Sequence, residues 1–295
     1  MASRAACVAF AGLTVTMSDL HPFARACTFL FVPGHRPDRF DKALTSGADA
    51  IILDLEDAVP LTDKAVAREA IRVAWGAWSA SQRARVLIRI NALNGAEAEA
   101  DLTWLSTLEG LTAVMVPKAE SVAELQRVAQ AGSAQMQLIP LIETAQGVRA
   151  LDAIAQAPQV LRLALGHLDL QADLGMACEA DEVELGPVRF QLVLASRGAG
   201  LPPPIDGVST STQDMALVQT DAARSRRFGF FAKLCIHPAQ LQPVRQAFTP
   251  TVAQQDWAKR VLAAEVAAGG GAFSVDGKMV DPPVLRLARQ ILSQA

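Results

Sequence analysis

Eight short apolar runs, at residues 28–32, 50–53, 86–90, 113–116, 137–142, 161–165, 205–208 and 230–236, are spaced so that a helix fits between each pair. Most are apolar throughout rather than alternating, the pattern of strands buried on both faces. The intervening segments, among them 36–46, 63–78, 96–108, 121–131 and 145–155, are Ala-rich with helical periodicity. Strand then helix, repeated eight times, predicts a (β/α)8 TIM barrel. An open doubly wound sheet would also accept eight units. However, no Gly-x-Gly-x-x-Gly fingerprint follows the first run, and polar groups follow many runs rather than one switch point. A chain of 295 residues, 51% apolar, can bury the core such a barrel needs.

The barrel is expected over residues 21–248. Residues 1–20 read as a disordered leader: Ala5 to Met17 is apolar behind Arg4, but no cleavage site follows, and Met17 is an alternative start. After the eighth run, 249–268 reads as a helix, ended by Gly269-Gly270-Gly271. The tail then carries Asp276-Gly277, Pro282-Pro283 and a last helix, so 249–295 reads as a movable lid or an arm for a neighbouring subunit. A net charge of −3, from 27 basic and 30 acidic residues well mixed, leaves no basic stripe for nucleic acid. No run has the length of a membrane span. Cys7, Cys27, Cys178 and Cys235 lie far apart without CxxC spacing, which suits a reducing, cytoplasmic setting and no zinc site.

In a parallel barrel the groups just past each strand converge on one mouth. Here they are Pro33-Gly34, Asp54 with Glu56 and Asp57, Arg89 with Asn91, Lys118, Glu143, Asp169, Asp206 and His237. Glu143 and Asp169 follow consecutive runs. Two carboxylates with positions left for water and substrate oxygens are the ligand pattern of Mg2+, with Mn2+ as a substitute. Arg89 lies within Val-Leu-Ile-Arg-Ile-Asn, where a charge needs an anionic partner. A substrate carboxylate or developing enolate suits its fork; the plainer alternative is an ion pair with Asp54 or Glu56. Of the acids Asp54, Glu56 and Asp57, at least one is expected to orient Arg89 or metal-bound water. No nucleophile elbow accompanies His35, His167 or His237, and His237, before Pro238, reads as a structural hydrogen bonder.

Together, the motifs Leu30-Phe-Val-Pro-Gly34 with Arg36-Pro37, Leu53-Asp-Leu-Glu-Asp-Ala-Val59, Arg89-Ile-Asn91, Val116-Pro-Lys118, Leu141-Ile-Glu-Thr144, Gly166 to Asp169 with Asp173-Leu-Gly175, Ile205-Asp-Gly-Val208, Cys235-Ile-His-Pro238 and Asp276-Gly-Lys-Met279 carry a resemblance. From about Thr28 to Leu292 the chain resembles the citrate lyase β-subunit-like CoA-ester lyases of the HpcH/HpaI aldolase superfamily. The resemblance implies Mg2+ held at Glu143 and Asp169. It also implies a 2-oxo acid bound by Arg89 in a substrate site lined by Asp54, Glu56, Asp57, Gly166 and Leu168. Asp276 would reach a neighbouring subunit's site as acid or base in a homotrimer or hexamer. The implied reaction is cleavage of a malyl-CoA or citramalyl-CoA type of acyl-CoA to acetyl-CoA and a 2-oxo acid. A citryl-acyl carrier protein or a CoA-independent aldol substrate are the alternatives. The chain departs from the family where Cys27-Thr28 replaces Arg-Ser and where Ala232 replaces Gly, both on the acyl-carrier side.

Overall fold

The computed structural model describes residues 21–268 and 273–293, and the backbone of Cys7–Phe10 and Leu13–Thr16. Two compact units divide the chain: residues 21–246, and residues 1–20 with 247–295.

The first unit is a closed barrel of eight parallel strands: β1 Thr28–Pro33, β2 Ala50–Asp54, β3 Val86–Arg89, β4 Ala113–Val116, β5 Gln137–Ile142, β6 Ala164–Leu165, β7 Ile205–Asp206 and β8 Ala232–Cys235. They pair in sequence order, and β8 closes on β1 with Lys233 opposite Thr28. Side chains from alternating strand positions, among them Phe29, Ile52, Leu87, Met115, Ile139, Leu141, Ile205 and Leu234, fill the barrel as a packed core. The predicted eight-stranded barrel is therefore the observed fold. Helices follow where the periodicity placed them, for example Lys64–Ala77 and Val122–Ala131. The latter starts at a capping box in which Glu124 N–H donates to Ser121 Oγ and Ser121 N–H to Glu124 Oε2.

β3 stops one residue short of its apolar run, and three strands are shorter by more, each for a local reason. The stretch before β6 leaves the ladder where Arg162 turns inward; it donates Nε to Pro203 O (2.5 Å) and Nη1 to Phe23 O (3.2 Å) and Ala26 O (2.7 Å). Those bonds seal the N-terminal end of the barrel around Phe23, with the guanidinium 5.8 Å from the Phe29 ring. Past β7, the Gly207 carbonyl accepts Lys233 Nζ (2.7 Å) instead of a ladder bond. Past β8, Ile236 and His237 N–H both donate to Gln240 Oε1, which starts the next helical turn.

The second unit holds the helix Val252–Ala268, a hairpin of β9 Phe273–Val275 and β10 Lys278–Val280, and the helix Pro282–Ser293. Its core is Ala258, Val261, Val280, Ala288 and Ile291. Asp276 and Gly277 make the hairpin turn, both with positive φ (52° and 74°), the backbone a two-residue turn requires. The Gly269 to Gly271 breaker lies outside the described residues. Within the leader expected to be disordered, Cys7–Phe10 pairs antiparallel with Leu13–Thr16; the remainder of 1–20 lies outside the described residues. Among the described residues no helix is long and apolar enough to cross a membrane.

Candidate functional site

The C-terminal ends of β2 to β6 bring most of the expected residues together. Asp54 ends β2 and Arg89 ends β3, in register as direct neighbours. Arg89 donates Nε and Nη2 to the two Asp54 oxygens, each at 2.6 Å. The same carboxylate accepts the backbone N–H of Glu56 (2.9 Å) and of Ala58 (3.1 Å). Asp54 is fully buried, and each of its oxygens accepts one guanidinium and one backbone N–H bond, so it orients Arg89. The ion pair that sequence offered as the plainer alternative for Arg89 is thus present. What remains is Nη1, 2.9 Å from Glu56 Oε2 and 3.6 Å from Asp57 Oδ2. The guanidinium carbon lies 4.7 Å from the centroid of the Phe31 ring. Burial alone would lower the pKa of Arg89, but Asp54, Glu56 and Asp57 more than offset it and hold the guanidinium charged.

Lys118 links this group to Glu143. Its ammonium is 3.1 Å from Glu56 Oε1, and its backbone N–H donates to Glu143 Oε1 at 2.8 Å. Lys118 has φ +46°, a left-handed conformation that non-glycine residues adopt at a cost and that clusters at functional sites. Sequence placed Lys118 at the mouth without a role; only the backbone reveals one.

Glu143, the first residue after β5, is nearly fully buried. Burial, then the neighbouring Glu56 and Asp169 carboxylates, push its carboxyl up to about 8, against the opposing pull of the Lys118 N–H and of Arg89. Burial likewise raises Glu56. At Gly166 a methyl group would overlap Glu143 Oε2, so the missing side chain makes room for that oxygen. Asp169 lies in the first turn of the helix His167–Leu174, and Leu168 beside it is exposed. Asp54, Glu56 and Asp57 therefore lie against the two cations Arg89 and Lys118, and Glu143 has Glu56 and Asp169 as acidic neighbours, five carboxylates to two cations. That excess of negative charge, with buried oxygens at Glu143, fits a hard divalent cation held by Glu143 and Asp169.

Two expected mouth residues serve the frame. Asp206 is buried, accepting Arg189 Nε (3.2 Å) and Ser225 Oγ, with Lys233 Nζ 3.8 Å away. Although burial works against it, Lys233 and Arg189 pull its carboxyl down to about 2. His237 accepts Ala239 N–H at Nδ1 (3.2 Å), the structural role expected of it. Asp276 belongs to the second unit, where Arg260 Nη2 donates to its Oδ2 at 2.7 Å.

A family model described as HpcH/HpaI aldolase/citrate lyase matches residues 27–238. A citrate lyase subunit beta-like protein of Deinococcus radiodurans is 37% identical over 284 residues, 92% of this chain and 98% of that protein. A (3S)-malyl-CoA thioesterase of Cereibacter sphaeroides is 33% identical, covering 93% of this chain and 95% of its own length. Among solved structures, CitE of Mycobacterium tuberculosis in complex with magnesium, acetoacetate and coenzyme A superposes with a TM-score of 0.81 at 36% identity, over 92% of this chain and 98% of that one. A family match across nearly the whole barrel, with the site motifs inside it, identifies this chain as a member of the HpcH/HpaI aldolase/citrate lyase family.

Proposed function

We propose that this protein is a Mg2+-dependent carbon–carbon lyase that splits a 3-hydroxyacyl-CoA of the malyl-CoA or citramalyl-CoA type into acetyl-CoA and a 2-oxo acid. The observation that carries the reading is the buried Glu143, whose Oε2 has room only because residue 166 is glycine and whose neighbours are the Glu56 and Asp169 carboxylates, a group that a bound cation would neutralise. Its relatives support it: the family name covers aldolases and citrate lyase, one relative is named a (3S)-malyl-CoA thioesterase, and the CitE structure is a complex with magnesium, acetoacetate and coenzyme A.

Glu143 and Asp169 would hold the ion, which when bound would supply Lewis-acid polarisation of the substrate's oxygens. Arg89, fixed through two bonds to Asp54, presents Nη1 towards the substrate's acid end and stabilises charge on the hydroxyl oxygen as it becomes a carbonyl. The hydroxyl gives its proton to solvent water, and the bond between the α- and β-carbons breaks. Its electron pair passes to the thioester as an enolate, and protonation of that methylene gives acetyl-CoA. Asp276 of a neighbouring subunit in a homotrimer or hexamer is the proton donor in this scheme. The unpaired state of Cys27, Cys178 and Cys235 supports a reducing cytoplasmic setting.

The thioesterase relative favours a second reading, hydrolysis of the thioester without carbon–carbon cleavage. One assay separates the two: malyl-CoA, citramalyl-CoA and free citramalate are offered with Mg2+ or with EDTA, and 2-oxo acid and free thiol are both quantified. The lyase reading expects Mg2+-dependent 2-oxo acid in step with acetyl-CoA. Free thiol without 2-oxo acid would replace it with the thioesterase. Cleavage of the free acid alone would make it a CoA-independent aldolase, and silence on all three would point to an acyl-carrier-bound substrate.

A further inference from the structure

The helix His167–Leu174 presents Asp169 in its first turn and begins on His167, whose ring is buried. Two groups enclose that ring. A methyl group at Gly207, just past β7, would overlap His167 Nδ1, so the imidazole rests directly on bare backbone. On the other side, His167 Nε2 lies 3.5 Å from Glu182 Oε1. Glu182 has φ +49°, a left-handed backbone where glycine is at home and glutamate is strained. Its side chain explains why glutamate stands there.

Glu182 Oε2 accepts Arg189 Nη2 (2.5 Å) from the helix Gly186–Gly198 and Arg224 Nη2 (2.8 Å) from the helix Met215–Phe228. Arg189 passes the connection on to Asp206 at the end of β7, and Asp206 to Ser225. A single carboxylate thus ties the first turn of the Asp169 helix to a strand and to two outer helices.

We propose that Glu182 is a positioning residue for the cation site: it clamps His167 onto Gly207 and thereby fixes the helical turn that presents Asp169. The proposal rests on the reading of Glu143 and Asp169 as the cation's ligands. Loss of a carboxylate that serves only the fold would lower the melting temperature and leave the ion affinity of the folded protein unchanged. Loss of a positioning carboxylate lowers that affinity, by about tenfold or more as loss of a metal ligand's support commonly does.

The test is Mn2+ titration followed by the electron paramagnetic resonance signal of free ion, on wild type, Glu182→Gly and Glu143→Gln. Glycine suits the left-handed backbone, so this change removes the carboxylate while relieving strain. The expected result is a dissociation constant raised at least tenfold in folded Glu182→Gly, with circular dichroism unchanged. If Glu182→Gly does not fold, His167→Ala serves instead, because it removes the clamped ring and leaves the bonds of Glu182 to Arg189 and Arg224 in place; the same tenfold rise is expected. A smaller rise in the folded variant, with Glu143→Gln losing binding, would overturn the positioning role alone. Wild-type Mn2+ binding in Glu143→Gln would overturn the ligand assignment and the proposal with it.

Discussion

Replacing Asp54 by Asn keeps the shape of the side chain and perturbs the pairing that aims Arg89, together with one of the two backbone N–H bonds to that carboxylate. In the wild type both Asp54 oxygens accept guanidinium N–H groups at 2.6 Å, in a place where Arg89 is only 8% exposed. The amide keeps one oxygen and turns an NH2 group towards the other guanidinium donor. Removing one partner of a buried pair costs about 3–5 kcal/mol, because the other charge is left behind. Glu56 lies 2.9 Å from Arg89 Nη1 and takes up part of that charge, so the lower end, about 3 kcal/mol, is expected. For a unit of this size, ~1 kcal/mol moves Tm by about 2–4 °C, which places the variant roughly 6–12 °C below wild type. Displacing Nη1 by about 1 Å should also lower kcat/KM on the order of 100-fold. Thermal unfolding by circular dichroism and a steady-state assay of 2-oxo acid release read the two effects. A Tm within about 2 °C of wild type would refute the argument that the Asp54 pairing holds a buried charge in place.

Gly166→Ala would drive a methyl into Glu143 Oε2, costing ~1–3 kcal/mol by overpacking and, by calorimetry, at least about tenfold in Mg2+ affinity. The pH dependence of metal-free protein follows from the Glu143 carboxyl, pushed up to about 8 by burial and its acidic neighbours. A carboxyl whose folded pKa is raised binds more protons folded than unfolded between its ordinary value and about 8. Stability in EDTA therefore falls as pH rises through that window. Wild-type Tm should drop between pH 5 and 8 more steeply than that of Glu143→Gln; parallel curves would contradict this. Asp276→Asn should cut turnover about 10²–10⁴-fold with Mg2+ affinity unchanged. Mixed oligomers of Asp276→Asn and Glu143→Gln chains should regain activity if the acid acts across subunits, and no recovery would count against that arrangement.

The barrel was legible because its strands are buried on both faces, so runs such as Ala113–Val116 are apolar at every position. The ends of β6, β7 and β8 were not, since side-chain bonds decide them: Lys233 takes the Gly207 carbonyl from the next strand, and Gln240 takes the N–H groups of Ile236 and His237. The acids at the mouth could be read from their places after strands, and the charge of Arg89 inside a strand required an anion. Which anion it meets is a matter of register, Asp54 directly opposite Arg89, and one sequence in isolation leaves substrate and side chain equal. Lys118 acts through its backbone conformation and Glu182 through partners on two helices, neither of which residue type or spacing records.

If Glu143 and Asp169 hold the cation, they are its protein ligands in crystals grown with Mn2+ and measured for anomalous scattering at the manganese edge. One strong peak is expected within about 2.0–2.3 Å of a carboxylate oxygen of Glu143 and of one of Asp169, with the remaining positions open to water and substrate. A peak held by other side chains, with Glu143 and Asp169 unligated, would contradict it.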